Sequence, residues 1–256
     1  MWGEGIKAVL KGAHTVRMGI KAAFARTATD RGCCLCSRGA MDSIRRCTFS
    51  NLVFYGSNRG IGIFAHNASD IEEILFSNIL IETRLPNGQW WDNGEPIHLS
   101  TISRFEGEPV GQIRNVRFGD IFATSEYGIL MYGDAESPME NIYFDNVDLK
   151  IVNGKETLAY GGNFDLRPAT DIDRQLFEHD IPGIYAKHVN GLTLDDVAVR
   201  WGEGLSDFFT YALETLYVND LQVEDFLGTA NPASKIQQPF KLEKTQFREN
   251  APVEAH

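Results

Sequence analysis

The sequence predicts an all-β chain folded as a parallel β-helix, a solenoid in which each lap of the chain forms one rung. One apolar pattern recurs six times across the 256 residues, and within each copy the apolar positions alternate with a period of two, as in strands. Steps of 27, 26 and 24 residues separate neighbouring copies, while two longer steps of 42 and 50 residues carry insertions. Propeller blades need longer units, and a leucine-rich repeat would place a helix or extended segment where a second β-like stretch follows here.

Each copy reads apolar, two residues, apolar, one residue, apolar, one residue, Asn or Asp, apolar. The copies begin at Ile44, Ile71, Ile113, Met139, Val189 and Leu213. We expect the aromatic residues at the third apolar position to stack in the core, and the Asn and Asp residues to occupy turns, where their side chains bond local backbone. These aromatic residues are Phe49, Phe76, Phe118 and Phe144. Second strands are predicted at 60–64, 96–100 and 128–132.

The repeat covers residues 43–228, between an atypical basic segment, 1–42, and a polar tail, 229–256, that reads as irregular. Residues 1–47 hold nine Lys/Arg against three Asp/Glu. Apolar residues at helical spacing between Ile6 and Phe24 indicate an amphipathic helix. Three interpretations stay open for it: a cap over the end of the solenoid, a targeting segment, or a start that is not native to the fold.

Composition excludes several classes of protein. The formal net charge of −11 argues against a general nucleic-acid binder, which needs a basic surface to displace counterions. No apolar run approaches the roughly 18 residues of a membrane-spanning helix, so we expect no membrane partner. The four cysteines, bunched at Cys33, Cys34, Cys36 and Cys47, lack the paired spacing of a zinc site, so we expect free thiols, no metal and no cofactor. No oligomeric state is predicted.

The two insertions are the predicted binding region, because insertions in a solenoid collect on one face. The first, 83–112, carries a Trp pair beside charged residues, which suits a sugar polymer: aromatic rings cover apolar sugar faces and charged groups bind the polar rim. These residues are Trp90, Trp91, Asp92, Glu95, His98 and Arg104. Packing of the Trp pair onto the rungs is an equal alternative. In the second insertion, 153–187, Arg167 could bind a substrate carboxylate or form an internal salt bridge with Asp165.

Several segments, taken in order, resemble glycoside hydrolase family 28, the polygalacturonase- and rhamnogalacturonase-like pectin hydrolases. They are SNRGIGIFAHNASDIEEILFSNILIET, GQWWDNGEPIHL, GQIRNVRFGDI, YGILMYG, ESPMENIYFDNVDLKI and FDLRP. The resemblance spans roughly residues 43–228 and corresponds to the C-terminal part of that fold. It implies a right-handed β-helix and inverting hydrolysis of α-linked, uronate-containing polysaccharide. Family members are usually secreted or periplasmic, whereas the basic N-terminal segment is not an export signal, so no compartment is predicted.

The chain departs from the family where the chemistry should lie. The family's catalytic carboxylates come from an Asn-Thr-Asp-like segment and an Asp-Asp pair followed by Gly-His-Gly, and none of these precedes Ser57. Its Arg-Ile-Lys motif falls on Gly62-Ile63-Phe64, which leaves Arg59 as the nearest substitute cation. We therefore assign no catalytic residue, and Arg59 and Arg167 join the first-insertion residues as the predicted substrate-binding set. Three functions stay open: a truncated hydrolase, active or not; a non-catalytic polysaccharide-binding β-helix; and a polysaccharide lyase.

Overall fold

The computed structural model describes residues 33–36, 43–85, 92–105, 107–167 and 175–249. Strands make up 58% of the structure and helix only 3%, which confirms the predicted all-β parallel β-helix. The elements in chain order are β1 (Cys33–Cys36), β2 (Ile44–Ser57), β3 (Ile61–Phe64), β4 (Ile71–Thr83), β5 (Ile97–Ser100), β6 (Ile113–Ser125), β7 (Ile129–Tyr132), β8 (Met139–Ile151), α1 (Thr157–Tyr160), β9 (Asn163–Asp165), β10 (Leu176–Glu178), β11 (Ile184–Trp201), β12 (Leu213–Gly228) and β13 (Phe240–Glu243). The helix predicted between Ile6 and Phe24 lies outside the described residues.

The strands stack in two parallel ladders. Short strands follow the order β1-β3-β5-β7-β11, and long strands follow β2-β4-β6-β8-β11. Strands β11 and β12 run continuously around a corner and belong to both ladders, so the ladders form a single sheet. The three predicted second strands are confirmed as β3, β5 and β7. Their parallel, in-register pairing is the geometry that a solenoid requires.

Left-handed turn residues bend every long strand at the same position. The Asn and Asp residues of this column have φ between 46° and 57° and are Asn51, Asn78, Asp120, Asn146, Asp196 and Asp225. Asn and Asp tolerate this conformation better than other residues with a Cβ atom. Their side chains also bond from rung to rung: the Nδ2 group of Asn146 donates to Oδ1 of Asp120 at 2.8 Å. The predicted turn role is therefore confirmed for the first five of these residues. Asp225 takes the sixth place in the column instead of the predicted Asp220, which has φ of 56° but lies opposite Gly191.

The predicted register of the sixth copy is wrong. Val189 pairs with Val218, and Leu192 pairs with Leu221, so the sixth copy begins at Val218 rather than at Leu213. Leu213 pairs instead with Ile184, at the start of the short-strand ladder. The error arises because β12 carries two overlapping sets of apolar residues, one for each ladder, and a period of two does not distinguish them.

The predicted aromatic stack is confirmed as the centre of the core. Phe76 and Phe118 lie 5.3 Å apart between ring centroids and are nearly parallel, and Phe118 and Phe144 lie 4.8 Å apart. Phe49 continues the stack at 4.9 Å from Phe76. The three inner rings are fully buried, whereas Phe49 on the edge strand β2 is only half-buried.

Both ends of the sheet extend past the predicted repeat. Strand β1 pairs in parallel with β3, Cys33 opposite Ile61, so the sheet begins before residue 43. Strand β13 pairs with β12, Leu213 opposite Phe240, and Phe247 forms a further bridge to Leu221. The tail after residue 228 therefore builds a partial rung instead of being wholly irregular.

Candidate functional site

The two insertions fold together over the outer surface of the short-strand ladder. The backbone N–H of Asp92, in the first insertion, donates to Oδ2 of Asp165 in the second at 2.8 Å. The Nδ2 group of Asn93 donates to both the backbone and the side-chain oxygen of Asn163, at 3.0 and 2.8 Å. We call this surface, over β3, β5, β7 and the first residues of β11 and β12, the insertion face.

Five polar side chains from two separate segments, 58–59 and 92–98, meet on the insertion face. We call this group, Asn58, Arg59, Asp92, Glu95 and His98, the Arg59 cluster. The Nη2 atom of Arg59 lies 2.5 Å from Oδ1 of Asp92 and donates to Nδ1 of His98 at 2.9 Å. Its Nε atom lies 3.6 Å from Oε2 of Glu95. Asn58 donates to the second oxygen of Asp92 at 3.0 Å.

The backbone brings these groups together through close approaches and one unusual conformation. Gly60, directly before β3, lies so near the residue before β5 that a Cβ atom there would be 2.3 Å from the carbonyl oxygen of Pro96. Gly94, with φ of +86°, also passes close to a neighbouring segment, since a Cβ atom there would lie 2.9 Å from the backbone of Arg84. Asp92 itself has φ of 93°, which is unfavourable for a residue with a side chain. Asn58 and Arg59, which bind its carboxylate, and Asp165, which accepts from its backbone N–H, hold it there.

Burial shifts the pKa values of the cluster in opposite directions. Glu95 is fully buried, and this burial, opposed by Arg59 and reinforced by Asp92 and Asp165, raises its pKa to about 7. Burial and the charges of Arg59 and His66 lower the pKa of His98 well below its ordinary value. Since arginine only donates, its bond to Nδ1 places the single proton of neutral His98 on Nε2. The cluster thus combines a carboxyl that titrates near neutrality with a neutral imidazole.

Asp165 extends the cluster into the second insertion. It is fully buried and binds Arg167 through both oxygens, with Nε donating to Oδ1 at 2.8 Å and Nη2 donating to Oδ2 at 2.6 Å. This geometry is the internal salt bridge that the sequence left as an alternative to substrate binding. Tyr127 fastens the same insertion, because its hydroxyl donates to the carbonyl oxygen of Asn163 at 2.6 Å.

Arg104 lies at the edge of the cluster beside His66. Its backbone N–H donates to the carbonyl oxygen of His66 at 3.3 Å, and its guanidinium lies over the ring of Phe105. Burial first, and then the charges of Arg59 and Arg104, lower the pKa of His66 to about 4. Within the described residues, Nε2 of the buried His66 ring has no hydrogen-bond partner.

The structure brings most of the predicted binding residues together. Arg59, Asp92, Glu95 and His98 form one contacting group, Arg167 joins it through Asp165, and Arg104 adjoins it through His66. Trp90 and Trp91 lie outside the described residues.

Sequence reasoning missed four residues in or around the Arg59 cluster: Asn58, His66, Asn93 and Tyr127. Asn58 and His66 flank β3, and Asn93 and Tyr127 adjoin β5 and β7. Polar residues at the ends of the predicted second strands were therefore the signal that could have found them.

Three further features of the described residues bear on function: metal ligands, paired acids and the length of the helices. Among the described residues, no group of three or more His, Cys, Asp or Glu side chains is arranged to hold a metal ion. The adjacent Asp195 and Asp196 lie at the corner of β11, where Asp196 is one of the left-handed turn residues. No helix within the described ranges is long and apolar enough to cross a membrane.

No protein-family model matches the chain, and neither a curated protein nor a solved structure matches it. The resemblance to glycoside hydrolase family 28 therefore rests on the sequence segments quoted above and enters below only as a proposal.

Proposed function

We propose that the chain is a glycoside-hydrolase-like β-helix that acts on uronate-containing, pectin-type polysaccharide by inverting hydrolysis. The observation that carries the proposal is the meeting of Arg59, Asp92, Glu95 and His98 on the insertion face. A long outer face crossed by successive rungs suits an extended polymer, and guanidinium groups suit uronate carboxylates.

The surroundings of the two carboxyl groups support a division of roles. Inverting hydrolysis needs a carboxylic acid that protonates the leaving oxygen and a carboxylate that activates water. Glu95, with a pKa raised by burial to about 7, is partly protonated near neutral pH. Asp92 is bound by Arg59 and Asn58, which stabilise a charged carboxylate. Two carboxyls in such different environments match the pattern of an acid and a base.

Binding without catalysis is the second candidate function, and burial favours it. Glu95 and His98 are 0% exposed, whereas Arg59 and Asp92 are each 9% exposed, so a sugar would meet Arg59 and Asp92 first. The carboxylates of Asp92 and Asp165 are also engaged by arginines. In this reading Glu95 positions Arg59 and does not touch the substrate.

The deciding experiment is a reducing-sugar assay on polygalacturonate and rhamnogalacturonan, run beside calorimetric binding of the same polymers. We expect new reducing ends that diminish at least tenfold in Asp92→Asn and in Glu95→Gln, the loss typical of a removed acid or base. Asp145→Asn, which changes an exposed acid on β8 in the long-strand ladder, is the matched control and should keep wild-type activity.

Three other outcomes have distinct meanings. Binding without turnover would support the non-catalytic candidate and overturn hydrolysis. An absorbance increase from unsaturated uronate would identify a lyase. If the protein neither binds nor cleaves either polymer, the proposed function is overturned altogether.

A further inference from the structure

A second group of charged side chains lies on the insertion face, in line with the Arg59 cluster. His98 pairs with Leu130, Leu130 with Tyr185, Tyr185 with Glu214, and Glu214 with Lys241. Neighbouring strands are about 4.8 Å apart, so Glu214 lies three strands, roughly 14 Å, from His98 along the solenoid axis. We call Lys187, His179, Glu214 and Lys241 the Lys241 cluster.

Glu214 is the buried centre of the Lys241 cluster. It is 4% exposed, and its Oε1 atom accepts a hydrogen bond from Nζ of Lys241 at 2.8 Å and lies 3.8 Å from Nε2 of His179. Its Oε2 atom is buried and accepts no hydrogen bond from any described residue. A buried carboxylate oxygen without a donor is costly, and the hydroxyl group of a ligand would satisfy it.

Aromatic rings support the cluster from beneath. The His179 ring stacks on Phe164 with centroids 4.2 Å apart, and Tyr185 meets Phe164 edge-on at 4.7 Å. Tyr132 lies parallel to Tyr185 at 6.2 Å, and Nζ of Lys187 lies 2.9 Å from the Tyr132 hydroxyl. Phe164 directly precedes Asp165, so one short strand, β9, reaches both clusters.

The outer part of the Lys241 cluster is cationic and open to solvent. The side chain of Lys241 is 37% exposed and that of His179 is 24% exposed. Burial alone would lower the pKa of Lys241, but its hydrogen bond to Glu214 and the charges of Glu214 and Glu243 raise it, so Lys241 stays charged. Accessible cations beside aromatic rings suit a sugar unit that bears a carboxylate.

We infer that the Lys241 cluster is a second subsite for the polysaccharide, binding an acidic sugar unit several units away from the one at the Arg59 cluster. Lys241 binds the sugar carboxylate, Glu214 accepts a sugar hydroxyl, the His179 ring packs against the sugar, and Lys187 serves the neighbouring unit. The inference rests on the proposed function for its ligand, but it requires binding only and no catalysis.

Calorimetric titration with galacturonate oligomers long enough to span both clusters tests this subsite. We expect Lys241→Gln to weaken binding about tenfold, as for a lost charged hydrogen bond, and Lys241→Arg to restore most of it. Lys150→Gln, which changes an exposed lysine on β8 in the long-strand ladder, is the matched control. Lys187→Gln should also weaken binding about tenfold. Because it leaves the Glu214–Lys241 pair intact, it tests the subsite even if Lys241→Gln fails to fold.

The arms separate this inference from the proposed function. Wild-type affinity in folded Lys241→Gln and Lys187→Gln would overturn the subsite, while loss of binding in Asp92→Asn would still support the proposed function. Loss of binding in the two lysine variants with wild-type affinity in Asp92→Asn would support the subsite and show that the Arg59 cluster does not bind the oligomer. If Lys241→Gln weakens binding of carboxyl-reduced oligomers as much as it weakens binding of galacturonate oligomers, Lys241 does not bind the sugar carboxylate. If the wild-type protein does not bind the oligomers at all, both proposals are overturned.

Discussion

Arg59 and Asp92 form a nearly buried ion pair, with Nη2 of Arg59 2.5 Å from Oδ1 of Asp92. Only 11% of each side chain is exposed. Because the pair joins the segment before β3 to the insertion before β5, it fixes the first insertion onto the solenoid. The same guanidinium also contacts Glu95 and His98, so a single cation organises the Arg59 cluster.

Removing Arg59 should therefore destabilise the fold more than an exposed arginine would. We expect Arg59→Met to lower the free energy of unfolding by about 3 kcal/mol, since it leaves a buried carboxylate uncompensated. Adding Asp92→Asn should recover part of the loss, so the two changes will not be additive in urea unfolding. Arg200→Met, which breaks the exposed pair with Asp148, is the control and should cost less than about 1 kcal/mol. Equal costs for Arg59 and Arg200 would contradict the role of the buried pair.

Glu95 should make stability fall as pH rises. Its pKa is raised from the usual range to about 7 in the folded state, so between those values the folded chain binds more protons than the unfolded chain. Glu95→Gln removes this dependence. The free energy of unfolding of the variant, relative to that of the wild type, should therefore increase between pH 5 and pH 8 by on the order of 1–3 kcal/mol. His66 works in the opposite direction but is present in both proteins. Thermal unfolding across this pH range measures the difference, and a constant gap would refute the shift.

The aromatic stack should be most sensitive at its centre. Phe118→Ala removes a fully buried ring between two others and should cost about 3–5 kcal/mol. Phe49→Ala, at the half-buried edge strand, removes the same atoms and should cost clearly less. Chemical unfolding of both variants gives the comparison. If Phe49→Ala lowered the free energy of unfolding more than Phe118→Ala, Phe49 would not lie at the edge of the core.

The left-handed turn column predicts a distinctive response to glycine. Asn146 has φ of 54°, so Asn146→Ala should cost about 1–2 kcal/mol from backbone strain and the lost bond to Asp120. Asn146→Gly loses the same bond but relieves the strain, and should be the milder change. If alanine is tolerated better than glycine in unfolding measurements, the turn does not have this conformation.

The fold was predictable from the sequence because its signal repeats. Phe76, Phe118 and Phe144 recur with the same neighbours, and each copy reinforces the assignment of the others. The register of β12 was not predictable, since Leu213 and Val218 both fit a period of two and only pairing with Ile184 and Val189 separates them.

The candidate site was only partly predictable, for a related reason. Unusual composition pointed to Asp92, Glu95 and His98, but their contact with Arg59 depends on which rungs lie next to each other. The Lys241 cluster gave no local signal at all, because His179, Glu214 and Lys241 come from three separate segments that meet only after the solenoid has formed.

The central claim is that the insertion face binds an acidic polysaccharide, and hydrogen exchange read by mass spectrometry tests it most directly. With saturating galacturonate oligomer, we expect added protection in β3, β5, β7 and the described parts of both insertions. Protection centred instead on the exposed apolar residues Val53, Leu80 and Phe122, which lie on another face, or no protection anywhere, would contradict it.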